Sequence, residues 1–174
     1  PRSNDGSRAL SSADPELDPI TIEGVAALQA QAASIAQKLR PGDVVHLCGE
    51  LGAGKTTLAR ALAAAIGHDH RSVASPTFAI ANHYQTPGAP DILHIDAYRL
   101  SPNDHLEALL EEAGQNRHID PPSSQSPIVL IEWPERLGEH APAPHLVIEL
   151  AHAGPGARTL AVHAGQTPHD QPRP

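Results

Sequence analysis

The sequence predicts an α/β fold: a mostly parallel sheet flanked by helices, with an antiparallel hairpin near the C-terminus. Three observations predict it. The apolar, β-prone run at 44–48 passes through a glycine-rich turn into a segment where Leu58, Leu62 and Ile66 recur at i, i+4, i+8, the spacing of a helix face. Two more apolar runs, 92–95 and 128–131, each lead straight into a carboxylate, Asp96 and Glu132. Unbroken apolar runs of this kind are the strands that parallel sheets bury on both faces. Lastly, 145–150 and 158–162 alternate in polarity on either side of Gly154-Pro155-Gly156, as the arms of a hairpin do.

Taken in order, residues 1–18 are rich in Ser, Asp and Pro without apolar periodicity, which predicts a flexible tail. Residues 164–174 read the same way, leaving a single domain over 19–163. Leu28, Ala32, Ile35 and Leu39 share one helix face that stops before the turn signal Pro41-Gly42. The strand at 44–48 follows, then the helix through Ile66, which Gly67 closes as a C′ residue. Residues 78–84 read as a strand, 87–91 as a turn and 92–95 as a strand. Asn103 or Asp104 is suited to cap a helix through Ala113 that Gly114 ends. Three prolines and two adjacent serines make 115–127 an exposed loop. The strand at 128–131 and the hairpin complete a chain with at least one βαβ crossover.

Composition narrows the function. A formal charge of -8, from 12 Lys plus Arg against 20 Asp plus Glu, argues against broad unassisted binding to nucleic acid. One cysteine, Cys48, excludes an internal disulfide framework and reads as a core residue in a reducing compartment. The 12 histidines are scattered. His68 and His70, which flank Asp69, read as solvated loop residues rather than a metal site. No apolar stretch is long enough to cross a bilayer, so a soluble, cytoplasmic protein without a membrane role is expected.

Residues 49–56 read GELGAGKT and match G-x-x-x-x-G-K-[ST], the phosphate-binding P-loop. The spacing has a physical reason. Gly49, Gly52 and Gly54 let the backbone curl closely round a phosphate, with its N–H groups pointing inward, and the following helix adds its N-terminal dipole. Lys55 then reaches the β- and γ-phosphates and the Thr56 hydroxyl offers an oxygen to Mg²⁺. Such a site also needs an acid at the end of a neighbouring strand, and both Asp96 and Glu132 stand where α/β sheets place their ligands. The fold is therefore expected to be P-loop NTPase-like.

Three further motifs, Ser75-Pro76-Thr77-Phe78, His94-Ile95-Asp96-Ala97-Tyr98-Arg99-Leu100 and Ile131-Glu132-Trp133-Pro134-Glu135-Arg136, follow the P-loop in that order. Together the four resemble the bacterial tRNA threonylcarbamoyladenosine biosynthesis ATPase family, TsaE, over about residues 20–162. The resemblance implies an ATPase using ATP and Mg²⁺. Gly52, Ala53, Gly54, Lys55, Thr56 and Thr57 would line the phosphates, Thr56 and Glu132 would bind the metal, and Asp96 would stand in the Walker B role. Either Asp96 or Glu132 would orient the attacking water. Thr77 is either a sensor of the γ-phosphate or a turn residue, Arg99 a transition-state charge or an ion-pair partner, and Trp133 a stacking or a packing residue. The base contact is left open between the N-terminal helix and the region of Arg158.

The resemblance also implies partners, TsaD and TsaB, which modify tRNAs reading ANN codons and through which this chain would meet tRNA indirectly. The 115–127 segment is longer than the usual connection of the family. A small-molecule kinase is the alternative. Its lid normally carries several arginines, whereas 115–127 contains only Arg117. A nucleotide-gated scaffold without turnover is a third reading.

Overall fold

The apolar runs become adjacent strands because each can be covered on both faces. The computed structural model describes residues 18–69, 71, 73, 74, 76, 80–101 and 126–165. Their elements are β1 (Ile20–Glu23), α1 (Gly24–Ala36), β2 (Val44–Gly49), α2 (Lys55–Ile66), β3 (Ala81–Tyr84), β4 (Ile92–Asp96), β5 (Ile128–Glu132), β6 (Leu146–Gly154) and β7 (Ala157–Ala164), with short 3₁₀ turns at Pro134–Arg136 and Gly138–His140. One sheet holds all of these strands, in the order β1-β7-β6-β2-β5-β4-β3. Its centre, β6-β2-β5-β4, is parallel. Antiparallel strands extend it at both edges, β3 on β4 and the β6-β7 hairpin with β1.

Alternation within the central strands separates two cores. Val45, Leu47, Ile92, Ile128, Leu130 and Ile148 face α1 and α2, with Leu58 and Leu62 packed against them. Val44, Leu93, Ile95, Val129 and Ile131 point the other way, onto Leu100 and Leu137. Every residue of β4 and β5 is buried, which explains why these strands read as unbroken apolar runs. Buried Ala32 on α1 and Ala59, Ala61 and Ala63 on α2 let the helices lie close to each other and to the sheet. Removing a fully buried leucine such as Leu62 from such packing costs about 2–5 kcal/mol.

The expected elements appear with some changes. The N-terminal helix ends at Ala36, and Leu39 follows in a turn closed by its N–H to the Ala36 carbonyl at 3.2 Å. β1 was not legible: only Ile22 of its residues is buried, too short a pattern to signal a strand. The hairpin is longer than its alternating core because β6 runs past Leu150 through exposed residues to Gly154, with an irregularity at His152/Gly154. His68 is buried rather than solvated, its ring bridging the Pro90 carbonyl at 2.8 Å and the Thr86 hydroxyl at 2.9 Å. The turn at 86–90 folds over the end of α2 and covers it. The tails at 1–17 and 166–174, the helix at 103–113 and the body of the 115–127 loop lie outside the described residues.

His46, in the middle of β2, donates Nε2–H to the Pro142 carbonyl at 2.9 Å. Burial lowers its pKa from the ordinary 6.5, outweighing the bond to Pro142 and the field of Glu135. The unfolded chain accepts a proton that the folded chain resists, so this group weakens folding as pH falls below about 6.5. The urea midpoint should therefore drop on acidification through that value, and by less in His46→Gln. An equal drop in both proteins would remove His46 as its source.

Candidate functional site

The glycine-rich loop owes its course to a close approach between strands. Gly49 ends β2 opposite Leu150 of β6. At its φ of 137°, an added Cβ would run into the Leu150 carbonyl, so only glycine lets the chain leave the sheet here. The loop then turns tightly, with Ala53 N–H donating to the Glu50 carbonyl at 3.1 Å. Gly52 and Gly54 take left-handed conformations, φ 77° and 108°, which cost glycine little. No side chain caps the N-terminus of α2, which leaves the N–H groups of the first turn suited to an anion.

Around this loop lies a cleft of about 350 Å³, lined by Leu51, Gly52, Gly54, Lys55, Thr56, Thr57, Asp96, Tyr98, Glu132 and Trp133. Lys55 is turned back across the loop, donating to the Gly49 carbonyl at 2.6 Å and the Glu50 carbonyl at 2.9 Å. Its ammonium also sits 3.6 Å from the centre of the Trp133 ring, within cation–π range. Burial lowers its pKa, while Glu132, Glu135 and Asp96 act in the opposite direction. Trp133 holds its place with a left-handed backbone, φ 60°, a strained conformation for a bulky residue. Its ring packs 5.0 Å from that of Tyr98, and the Arg136 guanidinium lies 5.5 Å from the centre of the Tyr98 ring.

Thr56 Oγ1 donates to Glu132 Oε2 at 2.9 Å, tying the first turn of α2 to the end of β5. The other oxygen of Glu132, Oε1, accepts from His94 Nε2 at 2.8 Å. Asp96 stands beside Glu132 in parallel register, and its Oδ1 accepts the Tyr98 N–H at 3.0 Å. Two buried carboxylates on neighbouring strands repel each other unless a cation joins them. Among the described residues, no group of three or more His, Cys, Asp and Glu side chains is arranged to hold a metal. One hydroxyl and one or two carboxylates suit Mg²⁺, which takes its remaining ligands from phosphate and water.

A smaller cavity of about 180 Å³ opens on the other side of the loop, between Ile22, Val25, Leu28, Ala53, Thr57, Leu150 and Arg158. Arg158 Nε donates to the Ala53 carbonyl at 3.1 Å, so β7 props the loop from a point distant in sequence. The cavity wall is mostly aliphatic, with the guanidinium at one side.

Thus Gly52, Gly54, Lys55, Thr56, Thr57, Asp96 and Glu132 share one cleft, while buried Ala53 lines the smaller cavity and Gly49 sits behind the loop against β6. Trp133 both packs against the core and touches Lys55. Arg99 is exposed in the turn after β4 and does not line the cleft. Thr77 and Arg117 lie outside the described residues. Cys48 is partly buried, and burial, followed by Glu135 and Glu149, pushes its thiol from 9.0 up to about 11, which leaves it inert at neutral pH. His94 and Tyr98 stand in one of the sequence motifs but had no role assigned to them there. For His94 the signal was period two, since it lies two residues before Asp96 and shares its face of β4.

Comparison with known proteins points one way. The family described as threonylcarbamoyl adenosine biosynthesis protein TsaE matches residues 22–160. The tRNA threonylcarbamoyladenosine biosynthesis protein TsaE of Mycobacterium tuberculosis is 36% identical over 118 residues, spanning 67% of this chain and 68% of the relative. Its namesake in Bacillus subtilis is 33% identical over 125 residues, 72% of each chain. Among solved structures, Bacillus subtilis YdiB superposes with a TM-score of 0.62 at 27% identity, covering 88% of both chains.

Gly49→Ala tests the close approach of β2 and β6. The variant should lose about 1–3 kcal/mol of stability in urea titrations from backbone strain alone, with further loss from the clash at Leu150. Wild-type stability would show that the strands separate without cost.

Proposed function

The chain belongs to the TsaE family of threonylcarbamoyl adenosine biosynthesis proteins, and from this premise we propose that it is a Mg²⁺-dependent ATPase serving the threonylcarbamoyladenosine modification of ANN-decoding tRNAs. The observation that carries the proposal is the convergence of Lys55, the Thr56–Glu132 pair and Asp96 on the cleft beside the glycine loop. That convergence suits a triphosphate bound with a metal and has no evident use otherwise. Gly49, Gly52, Ala53, Gly54, Lys55, Thr56 and Thr57 are the proposed phosphate-binding segment. The smaller, aliphatic cavity beside Arg158 is the proposed seat of the base.

In this reading the loop N–H groups and Lys55 neutralise charge developing on the transferred γ-phosphoryl, and water is the nucleophile. Lys55 must first exchange the Gly49 and Glu50 carbonyls for phosphate oxygens. Thr56 and Glu132 are the residues proposed to hold Mg²⁺, which would offset the negative charge of the phosphates. Both oxygens of Glu132 are already engaged, by Thr56 and His94. Asp96 also lines the cleft, accepting the Tyr98 N–H through Oδ1, and is the acid proposed to orient the attacking water. The excess of acidic residues argues that tRNA is reached through partners, and TsaD and TsaB are the proposed ones, with turnover driving or resetting their cycle.

Lys55→Ala should weaken ATP binding by about 10-fold or more, the scale of a charge-assisted contact, measured by calorimetry. Undiminished affinity would sink the phosphate assignment. The biological role is tested by multiple-turnover modification of an ANN-decoding tRNA by TsaD and TsaB, with and without this chain. Turnover should depend on the chain and on ATP, and equal turnover in its absence would contradict the proposal.

A further inference from the structure

His94 is fully enclosed on β4, with its side chain 0% exposed, against a Glu132 side chain that is 3% exposed. Only one of its ring nitrogens has a use. Nε2 meets Glu132 Oε1 at 2.8 Å, whereas Nδ1 is buried without a hydrogen-bond partner. A carboxylate only accepts, so the proton between them belongs to Nε2 and His94 acts as a donor. Buried polar atoms are seldom left unpaired. A ring that leaves Nδ1 unpaired while directing Nε2 at a carboxylate is held for that one contact.

The contact constrains Glu132 in a specific way. His94 at Oε1 restrains rotation of the carboxylate about its terminal bond, with Oε2 facing the Thr56 hydroxyl at 2.9 Å. Neighbouring groups restrain the ring in turn. Tyr84, from β3, lies 6.4 Å from it, centroid to centroid, and the β4–β5 register pairs His94 with Leu130, two residues before Glu132. A partner that orients a ligating group through a hydrogen bond is a common feature of metal sites, and here the oriented group is the acid beside the glycine loop.

We propose that His94 is the positioning residue of the site, fixing Glu132 through Oε1 so that Oε2 and the Thr56 hydroxyl are presented together to Mg²⁺. This rests on the nucleotide reading given above. It adds that metal affinity at this site is set from β4, by a residue that touches neither nucleotide nor metal.

The test is calorimetric titration of ATP with and without Mg²⁺, on wild type, His94→Leu, His94→Gln, Glu132→Gln and the His94→Leu/Glu132→Gln double variant. Wild type should bind ATP more tightly with Mg²⁺, and failure of that control would overturn the nucleotide reading and this proposal with it. His94→Leu should lose Mg²⁺ enhancement by about 10–100-fold, the range found when such supporting partners are removed, while keeping its affinity in EDTA. His94→Gln, whose amide supplies a donor at a similar reach, should restore most of it. In the Glu132→Gln background, where no carboxylate at 132 is left unpaired when the histidine is removed, His94→Leu should add no further loss. Full enhancement in His94→Leu, failure of His94→Gln to restore it, or an added loss in the double variant would each overturn the proposal while leaving the nucleotide reading intact.

Discussion

Parallel pairing of β2, β5 and β4 is the constraint on which the rest of the structure depends. Because these strands run in one direction, their carboxyl ends arrive together. Leu47 of β2 is paired with Glu132 of β5, and Glu132 with Asp96 of β4. The glycine loop therefore leaves β2 beside an acid supplied by its neighbour, and a second acid lies one strand further on. An antiparallel arrangement would put those carboxylates at opposite ends of the sheet. Burial enforces the register, since a slip of one residue would exchange the two core faces of every central strand.

Electrostatic tension at the loop follows from this arrangement. Three acids, Glu132, Asp96 and Glu135, act on one buried ammonium, Lys55. Carbonyl oxygens of the loop and the face of Trp133 hold that ammonium. Such contacts can be exchanged, because a phosphate oxygen offers Lys55 a charged acceptor in place of neutral ones. The strained backbone of Trp133 is consistent with a residue held where it is for a purpose other than chain stability.

The parts of the site that were legible in the sequence are those encoded locally. Gly49 to Thr56 lie within eight consecutive residues, and the spacing that suits them to phosphate is visible without knowing the fold. Asp96 and Glu132 were recognisable as ends of apolar runs, yet which strand adjoins β2 depends on pairing between distant segments, and the runs themselves carry no mark of it. The role of His94 was missed for a related reason: a single histidine in an apolar strand looks like a core residue until its partner, 38 positions away, is brought beside it. β1 escaped because it buries one side chain, and the burial of His68 because a turn from 86–90 covers it. Arg158 belonged to the hairpin in sequence, and only the fold carries its guanidinium to the Ala53 carbonyl.

Trp133 is the only tryptophan of the chain, and its ring rests on the lysine that must move if phosphate binds. Titrating Trp133 fluorescence with ATP and Mg²⁺, alongside calorimetry on the same samples, therefore reads whether nucleotide binds at this loop. A saturable change in emission with the same midpoint as the heat of binding is expected, as Lys55 leaves the ring and the loop carbonyls for the nucleotide. ATP binding with emission unchanged, or no binding at all, would contradict that expectation.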